Sequence, residues 1–202
     1  MGKIYYLFGK SASGKDSLYR ELIRDPSLGL TPVVLYTTRP MRRGETDGVD
    51  YHFVTEEEMQ KFVRAGQIIE MRTYETVRGL WTYAMVDDGN WDAEADYLAE
   101  GVLASYCSTR EYFGAARVVP LYIEVEDGER LQRALNRERK QPVPQYSEMC
   151  RRFLADQVDF APEKLQAAGI DRVYRNGELT ACVRELKTVI AASREARGVC
   201  ET

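Results

Sequence analysis

A three-layer α/β fold, with helices on both faces of a central parallel sheet, is what this sequence predicts, on three observations. The run Ile4-Tyr5-Tyr6-Leu7-Phe8 is apolar throughout, as a strand covered on both faces must be. It passes directly into Gly9-Lys10-Ser11-Ala12-Ser13-Gly14-Lys15-Asp16-Ser17, after which Leu18, Leu22 and Ile23 recur at helical spacing. A second run, 118–125, is rich in β-branched residues and reads as another core strand. A chain of 202 residues is long enough for one such domain with one or two insertions.

The loop after the first strand carries the clearest chemistry. Gly9 and Gly14 let its backbone curl with the amides inward, and the helix opening near Asp16 aims its positive end at the same point. That arrangement is a phosphate cradle, and Lys15 can reach the outer phosphates of a nucleoside triphosphate. The spacing follows G-x-x-x-x-G-K-[ST] except at the last position, where Asp16 precedes Ser17. A carboxylate beside a phosphate is repelled by about a few kcal/mol unless a cation stands between them. Asp16 therefore reads as a ligand of a Mg2+ shell, direct or through water, with Ser17 supplying a hydroxyl. The alternative is a degenerate loop without turnover.

Downstream, the first helix should stop at Asp25-Pro26, because the residue before proline avoids the helical region. Residues 33–36 read as the next buried strand, completing a βαβ unit whose ligand lies beyond the carboxyl ends of its strands. The turn-rich stretch 37–54 holds Arg39, Arg42 and Arg43, either an anion site or a solvated basic loop. Thr55 with Glu56, Glu57 and Glu58 predicts a capped helix with Met59, Phe62 and Val63 inward, ending at Gly66. Residues 67–74, carrying Glu70, and 81–86 read as paired strands across a turn near Arg78-Gly79, a small antiparallel insertion over the loop. Residues 96–101 read as a third core strand, followed by a helix with Leu103, Tyr106 and Phe113 near one face.

From Gly128 a helix with Leu131 and Leu135 four apart carries Arg130, Arg133, Arg137 and Arg139 into the break Gln141-Pro142-Val143-Pro144-Gln145. Another helix begins near Ser147, with Arg151 and Arg152 in its first turns. These basic segments read equally as a lid closing over phosphates or as a solvated surface paired with Glu129, Glu138, Glu148 and Asp156. Residues 172–174 fit a last short strand, 179–196 a closing helix with Leu186, Val189 and Ile190 inward, and the final six residues a loose end.

Composition bounds the function. A net charge of −4 and a pI near 5.3 argue against an extended nucleic-acid face. Cys107, Cys150, Cys182 and Cys200 follow no metal or redox spacing, which fits a reduced compartment. One histidine, His52, excludes multi-histidine metal sites and reads as structural rather than as part of a Ser-His-Asp triad. With no signal core and no run near the roughly 18 apolar residues of a membrane span, a soluble cytoplasmic protein is expected, without membrane or nucleic-acid partners. No heptad or apolar stripe indicates an oligomeric state.

Several blocks in one order carry a family resemblance. Thr37-Thr38-Arg39, Arg42, Gly44-Glu45, Asp47-Gly48 and Asp50-Tyr51-His52-Phe53-Val54 resemble the T-T-R-x-P-R-x-G-E-x-[ND]-G-x-D-Y-x-F-V signature of guanylate kinase. The loop at 9–17 is similar to that family's G-P-S-G-x-G-K-[ST], and Arg152-Phe153-Leu154 and Asn176-Gly177-Glu178-Leu179 resemble its later motifs. The resemblance implies ATP as donor, Mg2+ as cofactor and GMP or dGMP as acceptor. It implies that 9–17 bind ATP, that Arg39, Arg42 and Tyr51 grip the acceptor phosphate with Glu45 in the same signature, and that Glu70 accepts hydrogen bonds from guanine. Arg152 would stabilise the moving phosphoryl beside Lys15, with Arg137 or Arg139 as the other lid arginine.

The chain departs from the family pattern at four further places. Leu35 replaces a serine, and the Y-G-[TS] block is missing, with Tyr83 the candidate to supply its phenol. An L-D-I-D strand shrinks to Glu100 at the acceptor site, and the lid motif is shifted. The implied organisation is one domain, 1–202, with core 1–36, 96–136 and 153–196, a monophosphate-binding insertion 37–90 and a helical lid 137–152. A kinase for another small phosphate monoester and a non-catalytic phosphopeptide-binding module are the alternatives.

Overall fold

The apolar run at the start forms β1 (Ile4–Gly9), every residue of which is buried. The computed structural model describes residues 1–76 and 79–199. After β1 come α1 (Lys15–Ile23), a 3-10 turn (Pro26–Leu28), β2 (Leu30–Pro32), β3 (Tyr36–Thr37), β4 (His52–Phe53), α2 (Glu56–Arg64), β5 (Ile68–Thr76) and β6 (Gly79–Val86). The second half contains β7 (Asp96–Gly101), α3 (Leu103–Phe113), β8 (Val118–Glu124), α4 (Asp127–Glu138), α5 (Tyr146–Asp159), α6 (Pro162–Ala167), β9 (Tyr174–Arg175) and α7 (Leu179–Val199).

Five strands form a parallel sheet in the order β2-β7-β1-β8-β9. Period-two alternation splits β1 between two cores. Tyr5 and Leu7 face Leu18 and Leu22 of α1 and Leu186 and Ile190 of α7. Tyr6 and Phe8 face Tyr106 of α3, Tyr122 and Phe160, with the Phe8 and Tyr106 rings stacked at 4.8 Å. Helices thus cover both faces of a central parallel sheet. A second, four-stranded sheet, β4-β3-β6-β5, is joined to the core of Tyr6 and Phe8 through Ile69 and Met85.

The predicted strand at 33–36 is displaced. β2 occupies Leu30–Pro32 at the sheet edge, where Pro32 needs no outward donor, and Tyr36 pairs with Ala84 in the second sheet. Nor does β2 adjoin β1, because β7 lies between them. Thr55 caps α2 as expected, its hydroxyl accepting from Glu58 N–H while the Glu58 carboxylate accepts from Thr55 N–H. Leu131 of α4 is exposed and the buried positions are Arg130 and Ala134, so this helix packs inward through a charged residue. A single helix, α5, runs through position 152, where lid was expected to meet core, and α6 had no counterpart in the sequence reading. His52 stacks on Tyr36 at 4.5 Å, a packing role. The turn at Arg78 and the loose end beyond Val199 lie outside the described residues.

Candidate phosphate-transfer site

The loop 9–17 leaves the carboxyl end of β1 and becomes α1 at Lys15. Its two glycines are required for different reasons. A Cβ on Gly9 would collide with the Ile123 carbonyl of β8, whereas Gly14 has φ of 83° and is the helix N-cap. Ala12 also adopts a left-handed conformation, at φ of 62°. Ser13 is buried, and its Oγ has no hydrogen-bond partner among the described residues. The helix end and a buried hydroxyl without a partner are suited to an anion. Lys15 Nζ donates to Asp16 Oδ1 at 2.8 Å, and Asp16 and Ser17 are exposed at the helix start. Desolvation at the loop works to raise the Asp16 carboxyl, but the Lys15 charge and hydrogen bond hold it below its ordinary range.

Buried polar groups brace this loop from outside. The Arg130 side chain is 1% exposed; its Nη1 donates to Ser11 O at 2.9 Å and to Asp156 Oδ2 at 3.1 Å, while Nε and Nη2 reach Asp127 Oδ1. Asp156 also accepts from Ser11 N–H at 2.8 Å. Lys10 Nζ donates to Gln157 Oε1, which in turn donates through Nε2 to Asp127. On the other flank Asn176 Nδ2 donates to Ser13 O at 2.8 Å, and Arg133 donates to the Asn176 carbonyl. Helices α4 and α5 and the turn after β9 thus fix the loop. Asp156 is among the partners expected for the arginines of this helix, but the pair with Arg130 is made in the interior rather than on the solvated surface that reading supposed.

A second cluster forms on the other sheet. Arg39 is 3% exposed, and its Nη1 and Nη2 donate to the two oxygens of Glu45, each at 2.9 Å. The guanidinium lies 5.2 Å from the centre of the Tyr51 ring, which meets Tyr83 edge-on at 5.7 Å. Arg39 Nε is buried without a partner among the described residues. Glu45 also accepts from Arg42 N–H at 2.7 Å, and its carboxyl is held below the ordinary range chiefly by Arg39. Arg39, Glu45, Tyr51 and Tyr83 therefore share one cage, with Arg42 exposed at its rim.

Glu100 stands at the carboxyl end of β7, opposite Leu7 of β1. Burial raises its pKa, Lys15 opposes that shift and Asp16 adds to it, while Oε2 has no partner among the described residues. Its charge also acts on Tyr51, so Glu100 is within electrostatic reach of both the loop and the cage.

Other predicted site residues are already engaged. Glu70 is buried on β5, and both its oxygens are taken by Arg72: Nε to Oε2 at 3.1 Å and Nη2 to Oε1 at 3.0 Å. The free carboxylate expected there is an ion pair instead. Two residues apart on one strand, the partners share a face, so the pairing was readable from period-two spacing. Arg152 Nε donates to Glu148, as do Arg151 Nε and Nη2, which realises the surface-pair reading for this part of α5. Arg137 is exposed and has no ion pair among the described residues, and the same holds for Arg139.

The chain is similar to known proteins in sequence over its first part and in fold over most of its length. The guanylate kinase family model matches residues 1–79. Guanylate kinase of Schizosaccharomyces pombe is 44% identical over 68 residues, 34% of this chain and 34% of that protein. Guanylate kinase of Aliivibrio fischeri is 33% identical over 93 residues, 44% of this chain and 45% of that protein. The matched stretches thus span between 34% and 45% of these relatives' lengths. In fold the likeness extends further: the crystal structure of guanylate kinase from Anaplasma phagocytophilum superposes with a TM-score of 0.65, covering 95% of this chain and 85% of that one at 21% identity.

Proposed function

We propose that the chain is a guanylate kinase that transfers the terminal phosphoryl group of ATP to GMP or dGMP, a reading supported by its likeness to that family over residues 1–79 and in fold. The observation that carries this reading is a pair of anion sites, the loop at 9–17 and the Arg39–Tyr51–Tyr83 cage, with Glu100 within electrostatic reach of both. Phosphoryl transfer needs positioning and charge neutralisation rather than a covalent nucleophile. The loop amides and Lys15 hold the donor phosphates. The cage holds the acceptor phosphate so that its oxygen attacks in line. Glu45 keeps the Arg39 fork flat and oriented until the phosphate takes over one edge of it. Arg137 and Arg152 supply positive charge from the lid side, Arg152 by exchanging Glu148 for phosphate oxygens.

The residues at the helix start suit Mg2+. Among the described residues no cluster of three or more His, Cys, Asp or Glu side chains is set to cage a metal. Mg2+, however, commonly binds one or two carboxylates together with substrate phosphates. Asp16 and Ser17 offer hard oxygen ligands beside the loop, and the unpartnered Glu100 oxygen lies in the same field. These residues would hold the ion, which when bound neutralises phosphate charge. No helix among the described residues is long and apolar enough to cross a membrane.

A coupled assay with ATP and Mg2+ against nucleoside monophosphates and other small phosphate esters tests the proposal. Turnover of GMP and dGMP above all others supports it. Turnover of a different ester alone replaces the acceptor, and absence of both turnover and calorimetric ATP binding leaves the binding-module alternative.

A further inference from the structure

Beside the acceptor cage lies a cavity of about 520 Å³ between β5, α3 and α6, lined by Arg72, Tyr74, Leu103, Cys107, Asp159 and Lys164. Glu70 stands behind Arg72 with its side chain 3% exposed, while the Arg72 side chain is 23% exposed and lines the cavity. Arg72 faces Tyr83 directly across the β5–β6 pair, so it sits next to the phosphate cage on the same face of the sheet. Two of its guanidinium nitrogens hold Glu70, and the third, Nη1, makes no hydrogen bond among the described residues.

We propose that Arg72 is a specificity-determining residue that reads the acceptor base together with Glu70, donating to the 6-oxo group of guanine while Glu70 accepts from its ring N–H and amino group. This role rests on the guanylate-directed activity proposed above. The edge of guanine presents two donors beside one acceptor. A lone carboxylate satisfies the donors and repels the oxygen next to them. A carboxylate flanked by a guanidinium meets all three groups, and arginine is the side chain whose planar fork pairs well with that oxygen. Adenine presents a ring acceptor and an exocyclic amino donor, so it meets the same pair in the wrong order.

The base enters by exchange rather than expulsion. Full removal of Arg72 from Glu70 would leave a buried carboxylate without a counter-charge, which is strongly unfavourable. Arg72 therefore gives up one of its two hydrogen bonds to Glu70 and turns a freed N–H to the 6-oxo group, keeping its charge beside the carboxylate. Without a base, the bidentate pair closes over Glu70, as it stands in this structure.

The test compares GMP with 6-thio-GMP, which keeps both donors but has a weaker acceptor, and with IMP, which keeps the oxygen but lacks the amino group. In wild type, GMP should exceed both in kcat/KM. Arg72→Met should lower kcat/KM for GMP about tenfold or more and largely abolish the preference for GMP over 6-thio-GMP, while the preference over IMP stays. Arg72→Lys, which keeps the charge opposite Glu70, should fold even where the methionine variant does not and should show the same loss in part. An unchanged or raised kcat/KM for GMP in either variant would overturn the proposal, since Arg72 would then only plug the site. Should wild type turn over no GMP, the proposed activity fails. GMP affinity by calorimetry then decides the role of Arg72, and binding by Arg72→Lys as tight as that of wild type sinks it.

Discussion

The two halves of the candidate site are stabilised in opposite ways. On the loop side the bracing groups are locked among themselves: Arg130 joins Asp127, Asp156 and the Ser11 carbonyl, and none of these contacts needs to break for a phosphate to enter. On the side of the second sheet the groups offered to a ligand are paired with one another, Arg39 with Glu45 and Arg72 with Glu70. One half is preassembled scaffold and the other is a set of exchangeable pairs. A rigid cradle suits a donor whose phosphates are always alike. Paired charges suit an acceptor that must be selected, because a wrong molecule cannot replace the internal partner at equal free energy.

The contrast breaks first at Arg130. Arg130→Met leaves the half-buried Asp156 without its cation and should cost about 3 kcal/mol of stability, seen as a lower midpoint in denaturant melts. Stability unchanged by that substitution would mean that the brace is incidental. Lys15→Met should do the reverse: its pair with Asp16 is on the surface, so stability stays, while kcat falls about 10²- to 10³-fold in the coupled assay. On the exchangeable side, Arg39→Lys keeps the charge but not the fork, and should raise the acceptor KM about tenfold while leaving the KM for ATP unchanged.

Two pH effects are smaller. Burial raises the Glu100 pKa in the fold, an effect Lys15 offsets in part. A carboxyl raised above its unfolded value favours folding most at low pH, and that contribution is lost as pH rises through the folded pKa. Glu100→Gln should therefore raise Tm at pH 8 and leave it unchanged at pH 4, with activity reduced. For Glu148 the sign is opposite. Arg151 above all, with Arg152, lowers its pKa to about 2, so its contribution is present above the unfolded carboxylate range and fades as pH falls towards 2. Because the pair is exposed, wild type and Glu148→Gln should converge only slightly in Tm between pH 5 and pH 2.5.

The loop and its flanking strand and helix were legible because each is dictated by neighbours in the sequence: an apolar run, two glycines and helical spacing. The cap at Thr55 was legible for the same reason. Tyr36 was assigned to the wrong sheet, since its local pattern of apolar residues is the same whichever sheet receives it, and only Pro32 marks the point of departure. The burial of Arg130 was out of reach. Its position in a basic helix suggested solvent or a lid, and the carboxylate that draws it inward, Asp156, belongs to another helix. At the second sheet the cage residues are gathered by a contiguous signature, 37–54, whereas Tyr83 and Arg72 join it only through the register of β6 with β3 and β5.

The second sheet leaves the first at the end of β2, where Val33 N–H donates to Leu98 O, and the chain returns as β7, the strand hydrogen-bonded to β2. Departure and re-entry are therefore neighbours in space. A segment inserted between adjacent strands can be lengthened, shortened or exchanged by recombination without redrawing the sheet that receives it. In evolutionary terms, residues 33–95 can drift towards a new acceptor while the strands and loop that handle the donor stay under their own selection.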